Sequence, residues 1–233
     1  MIFVISNPRL RRLLRILIPF VLMPAVIILG VCIFPDKSYA WVSIAVAVLA
    51  VVLFCAGFEK KLTGTRRLVI IAVMTALSIL GRFVFAVIPG FKPITAMLVI
   101  TAIWLGGESG FLVGALTALI SNFYFGQGPW TPFQMLAFGL IGIFAGLLSG
   151  PLKKSRPALA LYGIFAGIMY SCLMDVWTVL WYDNSFHWDM YGAAIVTAVP
   201  YIISYAVSNV IFLLLLGRPF GEKLERIKIK YGV

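Results

Sequence analysis

The chain has 233 residues, 62% of them hydrophobic and 12% charged, with 19 lysines and arginines against 8 acids for a net charge of +11. Its mean hydropathy of +1.06 excludes a soluble domain and points to an all-α integral membrane protein. In a soluble chain such a charge would suggest nucleic acid. Here the positions of the basic residues matter more than their sum, and no nucleic-acid partner is expected.

Hydropathy predicts apolar spans at roughly 13–34, 41–58, 68–88, 93–107, 109–123, 132–150, 158–181 and 191–216. The first has an Arg-rich start, and Ser38-Tyr39-Ala40 after it is like a signal-cleavage site. The apolar run is long for a signal core and Asp36 and Lys37 crowd that site, so a retained helix kinked at Pro19 and Pro24 is expected. The third span carries Ala72 and Ala76, four apart on one face, where another helix can approach closely. Between the fourth and fifth spans, Gly106-Gly107-Glu108-Ser109-Gly110 argues for two short helices. With the N-terminus in the cytoplasm, every Lys and Arg except Lys37, Arg82 and Lys92 falls on the inner side. A multi-pass protein with both termini cytoplasmic follows. The charge run Glu222–Lys230 reads as a solvated amphipathic end on the anionic leaflet.

Ionisable groups inside the spans are few. Glu108 is expected in a solvated inner turn. Arg82 lies about 22 Å of helix beyond Arg67, near the outer surface, where it can snorkel. Asp175 is the acid well inside a span; it holds a proton or ion, pairs with Arg82, caps a ligand, or is simply hydrogen-bonded. Cys32, Cys55 and Cys172 behave as small hydrophobes, and neither a metal spacing nor a cofactor is expected. No H-E-x-x-H, G-x-S-x-G or Walker loop is present, so no catalytic residue is assigned, and energy for uphill transport must come from an ion gradient or another subunit.

The segment Asn122–Met135 packs aromatics, amides, glycines and prolines between two apolar spans. It cannot continue a lipid-facing helix. It suits either a flat organic ligand or an aromatic belt with a tight turn. The outer loops fall at 35–40, 89–93, 123–131 and 182–190. The expected ligand site is lined by Asn122, Tyr124, Gln127, Trp130 and Gln134 on one side and by Trp177, Trp181, Tyr182 and His187 on the other, with the end of the Arg82 helix on the same aqueous side. These loops carry Lys37 and Lys92 against Asp36, Asp183 and Asp189, so a neutral or weakly charged ring-bearing ligand is expected.

Three features make the chain resemble the substrate-binding S components of energy-coupling factor (ECF) vitamin importers. They are Arg66-Arg67 followed by Ala72-x-x-x-Ala76; Gly110–Ala115 leading into Ser121-Asn122-Phe123 and Gly126–Met135; and Ser208-Asn209 in the last helix before a basic tail. The resemblance covers 66–233, a six-helix substrate-binding domain; residues 1–65 supply two further N-terminal transmembrane helices with basic cytoplasmic ends. It implies a vitamin-binding subunit of a prokaryotic cell membrane, not an enzyme. Such a subunit docks by its alanine face (Ala72, Ala76) on a transmembrane coupling subunit driven by two cytoplasmic ATPases. The Gly-Gln-Gly-Pro-Trp-Thr-Pro run favours cobalamin or a related corrinoid, with riboflavin and queuosine-type bases as alternatives. Two other classes stay open: a stand-alone carrier dependent on Asp175, and an intramembrane enzyme.

Overall fold

The computed structural model describes residues 7–33, 39–56, 61–183 and 186–232, and all regular structure among them is helical. α1 (Pro8–Leu17) runs through a π-helical stretch (Ile18–Leu22) into α2 (Met23–Ile33), and α3 (Tyr39–Ala56) follows. Then come α4 (Lys61–Val84), α5 (Ile94–Leu105), α6 (Gly107–Phe125), α7 (Trp130–Leu147), the short α8 (Ser149–Lys154), α9 (Arg156–Asp183) and α10 (Trp188–Tyr231). Each expected apolar segment coincides with a helix. Among the described residues, five helices are long and apolar enough to cross a bilayer, and Trp41–Ala56 and Ile94–Leu105 are shorter apolar helices. The chain is an all-α membrane protein. The Ser38-Tyr39-Ala40 question falls partly outside the described residues.

Local chemistry sets the boundaries. Asn7 Oδ1 caps α1 by accepting from the Arg9 and Leu10 amides, with Pro8 in the first turn. Pro19 lies in the π-helical stretch, where a wider turn accommodates the proline ring and its missing donor.

α5 is the axis of the bundle: all its residues except Trp104 are buried. Gly106, at φ +96°, reverses the chain directly into α6. Glycines then let α6 and α7 touch backbone to backbone. A Cβ on Gly142 would lie 2.6 Å from the Gly110 carbonyl carbon, and one on Gly146 2.4 Å from the Gly107 nitrogen. The Gly110–Ala115 run is thus a packing surface. α9 and α10 pair along their length, and α3 packs on α6 and α7. Ile71, Met74 and Ser78 of α4 turn inward, whereas Ala72, Val73, Ala76 and Leu77 are exposed.

Two expectations are corrected. Glu108 is buried and accepts from Arg15 Nε, because the tight turn tucks the start of α6 against α1. Arg82 does not snorkel. It turns into the bundle, as the site geometry makes plain. The charge run Glu222–Lys230 is solvated and amphipathic as expected, with its charged side chains exposed and Leu224 turned inward. α10 continues to Tyr231, buries Gly221 and Leu224 beneath α5, and brings Lys228 Nζ to the Trp104 carbonyl at 3.5 Å.

Candidate functional site

At the bundle end opposite the Arg15–Glu108 pair, a small cavity of about 40 Å³ lies among α4, α5, α7, α9 and α10. Arg82, Lys92, Ile94, Thr95, Gln134, Phe138, Tyr170, Tyr205 and Asn209 line it. The groups lining it have fixed positions. Arg82 donates to Ser121 Oγ and, at 2.8 Å, to Asn122 Oδ1, while its guanidinium sits 4.5 Å from the Phe125 ring centre. Asn122 Nδ2 donates to Thr131 Oγ1 at 2.9 Å and to Gln134 Oε1 at 2.8 Å. Gln134 Nε2 donates to Tyr170 Oη at 3.2 Å. Phe138 stacks on Tyr170 with ring centres 4.6 Å apart, and Tyr205 meets Tyr170 edge-on at 5.1 Å.

Lys92 comes from the segment 85–93, which is strapped to α10. Ser208 Oγ accepts from the Lys92 amide at 2.8 Å and donates to the Lys92 carbonyl at 3.1 Å. One turn earlier, Ser204 Oγ donates to the Pro89 carbonyl at 2.8 Å. Gly90, at φ +75°, makes the turn, and a Cβ there would lie 2.7 Å from Ser204 Oγ. Asn209 Nδ2 donates to the Gly163 carbonyl at 3.1 Å, tying α10 to α9. Burial and the nearby Arg82 guanidinium lower the Lys92 ammonium to about 8.

The expected site residues separate into groups. Gln134 and Arg82 line the cavity. Asn122 lies one hydrogen bond behind them. Gln127 braces the loop, donating to the Leu119 carbonyl at 2.8 Å and accepting from Thr131 Oγ1 at 2.9 Å. Trp130, Trp177 and Trp181 form an aromatic ladder beside the cavity, with ring centres 5.9 and 6.3 Å apart. Tyr124 faces outward, packed edge-on against Phe83 at 4.7 Å. Tyr182 is exposed, and His187 is an exposed residue at the start of α10. Asp175 is buried with Oδ2 lacking a protein partner, and Arg82 bonds elsewhere.

Lys92, Thr95, Phe138, Tyr170 and Tyr205 were missed as lining groups. A lysine between Gly90 and Pro93 and hydroxyl-bearing rings inside apolar spans were the available signals. The loop charge count assigned Lys92 to open water and left out Arg82. Folding brings both cations to the lining of one cavity.

The family model for the ECF-type riboflavin transporter, S component, matches residues 62–226. No curated protein and no solved structure matched the chain. S components are substrate-binding transport subunits, not enzymes, and associate with an energy-coupling module of a T component and ATPases. The match takes in every helix that lines the cavity, and this chain belongs to the family of S components of ECF-type riboflavin transporters.

Proposed function

We propose that this chain captures a flat, acceptor-rich vitamin of the flavin class in the Arg82–Lys92 cavity and delivers it to an ATP-driven coupling module. The observation that carries the reading is the convergence of two cations, two amides and two phenols on one narrow space walled by Phe138. An isoalloxazine presents ring carbonyls and nitrogens to such donors and a flat face to such rings. Two facing cations favour an acceptor over a donor, and the riboflavin named for the family fits that chemistry. A vitamin needs far more room than about 40 Å³, so binding requires the 85–93 segment or its neighbours to move.

A corrinoid asks more of this site, because its macrocycle would have to lie over the cavity mouth on the Trp130–Trp177–Trp181 ladder. The positive-inside pattern orients the cavity toward the outside with both termini cytoplasmic. The exposed Ala72–Ala76 face is the docking surface for the coupling subunit, and residues 1–65 form an addition to the six-helix domain. The test is mass spectrometry of small molecules released from the detergent-purified chain, followed by calorimetry with riboflavin and cobalamin. Binding of riboflavin at one per chain is expected. Binding of cobalamin alone would overturn the flavin assignment; binding of neither, with no vitamin released, would overturn the cavity.

A further inference from the structure

Arg82 and Lys92 bring two positive charges to the same cavity of about 40 Å³. The bonds that Arg82 makes are to neutral groups: Nη1 donates to the Ser121 hydroxyl and to the Asn122 side-chain carbonyl oxygen. A guanidinium carries more N–H protons than those two bonds use. The two cations also oppose each other, since burial first and then the Arg82 guanidinium lower the Lys92 ammonium. The wall adds further protons. Thr95 and Tyr205 line it with hydroxyl-bearing side chains, and Tyr170 accepts from Gln134 Nε2 at 3.2 Å, which leaves its own proton to donate.

Size narrows the occupant. A volume of about 40 Å³ holds about three water molecules and is too small for a vitamin's ring system. The donors come from α4, α5, α9, α10 and the 85–93 segment, so they approach from several directions. A monoatomic anion accepts from all of them at once. A water molecule brings protons of its own into a space already rich in them.

We infer that the vitamin-free chain holds one chloride ion between Arg82 and Lys92, and that the ion leaves as the vitamin enters. The displacement rests on the vitamin reading of this cavity; the ion's occupancy does not. With the ion in place, the 85–93 segment can close on α10 without setting two cations against each other in a low dielectric. When the vitamin departs, a second ion takes over its acceptor role.

The experiment uses the purified full chain, freed of vitamin, in a gluconate buffer of constant ionic strength at neutral pH. Chloride is added and its NMR line width measured. Saturable broadening, reversed by bromide, is expected for the wild type. Lys92→Gln and Arg82→Gln should each weaken chloride binding about tenfold. Tyr205→Phe removes one hydroxyl and keeps the ring; it should weaken binding severalfold and locates the ion if the charge variants do not fold. Lys223→Gln with Arg226→Gln, exposed at the opposite end of the bundle, should bind chloride as the wild type does. No saturable broadening in the wild type, or full broadening in folded Lys92→Gln, would overturn the proposal. Riboflavin should then narrow the line, and its apparent Kd should rise about tenfold for a tenfold rise in chloride above saturation. Riboflavin that binds by calorimetry without narrowing the line would overturn the displacement. Riboflavin that does not bind, with chloride held by the wild type and lost in Lys92→Gln, would overturn the flavin assignment and uphold the ion.

Discussion

Arg82 Nη1 donates to Asn122 Oδ1 at 2.8 Å, joining the end of α4 to the end of α6 across 40 residues of sequence. Asn122 spends its two amide protons on Thr131 and Gln134, so its hydrogen-bonding capacity is consumed within the protein. It acts as a brace that aims a cation and an amide at the cavity. Arg82→Gln should lower vitamin affinity about tenfold or more, since hydrogen bonds to a charged group contribute roughly 1.5–3 kcal/mol. Calorimetry on the purified variant checks this; unchanged affinity would remove Arg82 from the site.

Lys92 should make binding pH-dependent. Its ammonium is lowered from 10.5 to about 8 in the folded protein. If the ammonium donates to the vitamin, affinity should fall as pH rises through about 8 and level off above it. Fold stability moves the other way. Between about 8 and 10.5 the unfolded chain binds the extra proton, so stability without ligand should rise with pH across that window. Lys92→Gln should flatten both profiles; a pH-independent affinity from 7 to 9.5 in the wild type would dissociate Lys92 from the ligand.

Gln134→Ala and Trp130→Ala should differ. Gln134 lines the cavity, and its loss takes one acceptor from Asn122 Nδ2 and one donor from Tyr170 Oη, besides leaving any ligand group unpaired. Trp130 only buttresses Trp177. The expected loss of riboflavin affinity is about tenfold or greater for Gln134→Ala and several-fold smaller for Trp130→Ala. The reverse order would move the ligand onto the tryptophan ladder, the surface a corrinoid would use.

Loosening the Lys92 segment should speed ligand escape. Ser208→Ala removes both hydrogen bonds to the Lys92 backbone. Gly90→Ala forces a side chain into positive φ, at a cost of about 1–2 kcal/mol. Faster amide exchange across 85–93 and a higher dissociation rate are expected for both variants, with little change in the melting of the helices. Wild-type exchange rates would show that the strap is not what holds the segment.

Ala72→Trp and Ala76→Trp should fold, because both positions are exposed on α4. A bulky ring there blocks close helix approach. The expectation is weakened co-purification with the coupling subunit and reduced ATP-dependent uptake, with vitamin affinity unchanged. Full uptake by both variants would place the docking face elsewhere.

The apolar spans, their helical state and the basic asymmetry were legible in the chain itself. Each is a one-dimensional property: a run of apolar residues long enough for a bilayer must satisfy its own backbone, and charge avoids hydrocarbon. The Ala72/Ala76 face could likewise be read as a place where another helix can approach, while the part of Gly110–Ala115 as a packing surface came only from the structure. What the residues face was not legible there. Glu108 looked solvated until the Gly106 reversal set it against Arg15 of α1. Arg82 looked like a snorkelling cation, since nothing near it in sequence announces Ser121 and Asn122 as acceptors. Tyr170 and Tyr205 read as ordinary aromatics of two apolar helices and meet only because α9 and α10 pair. A buried polar group takes whatever partner the packing brings within 3 Å or so, so the Arg82–Lys92 cavity is a property of the assembled helices.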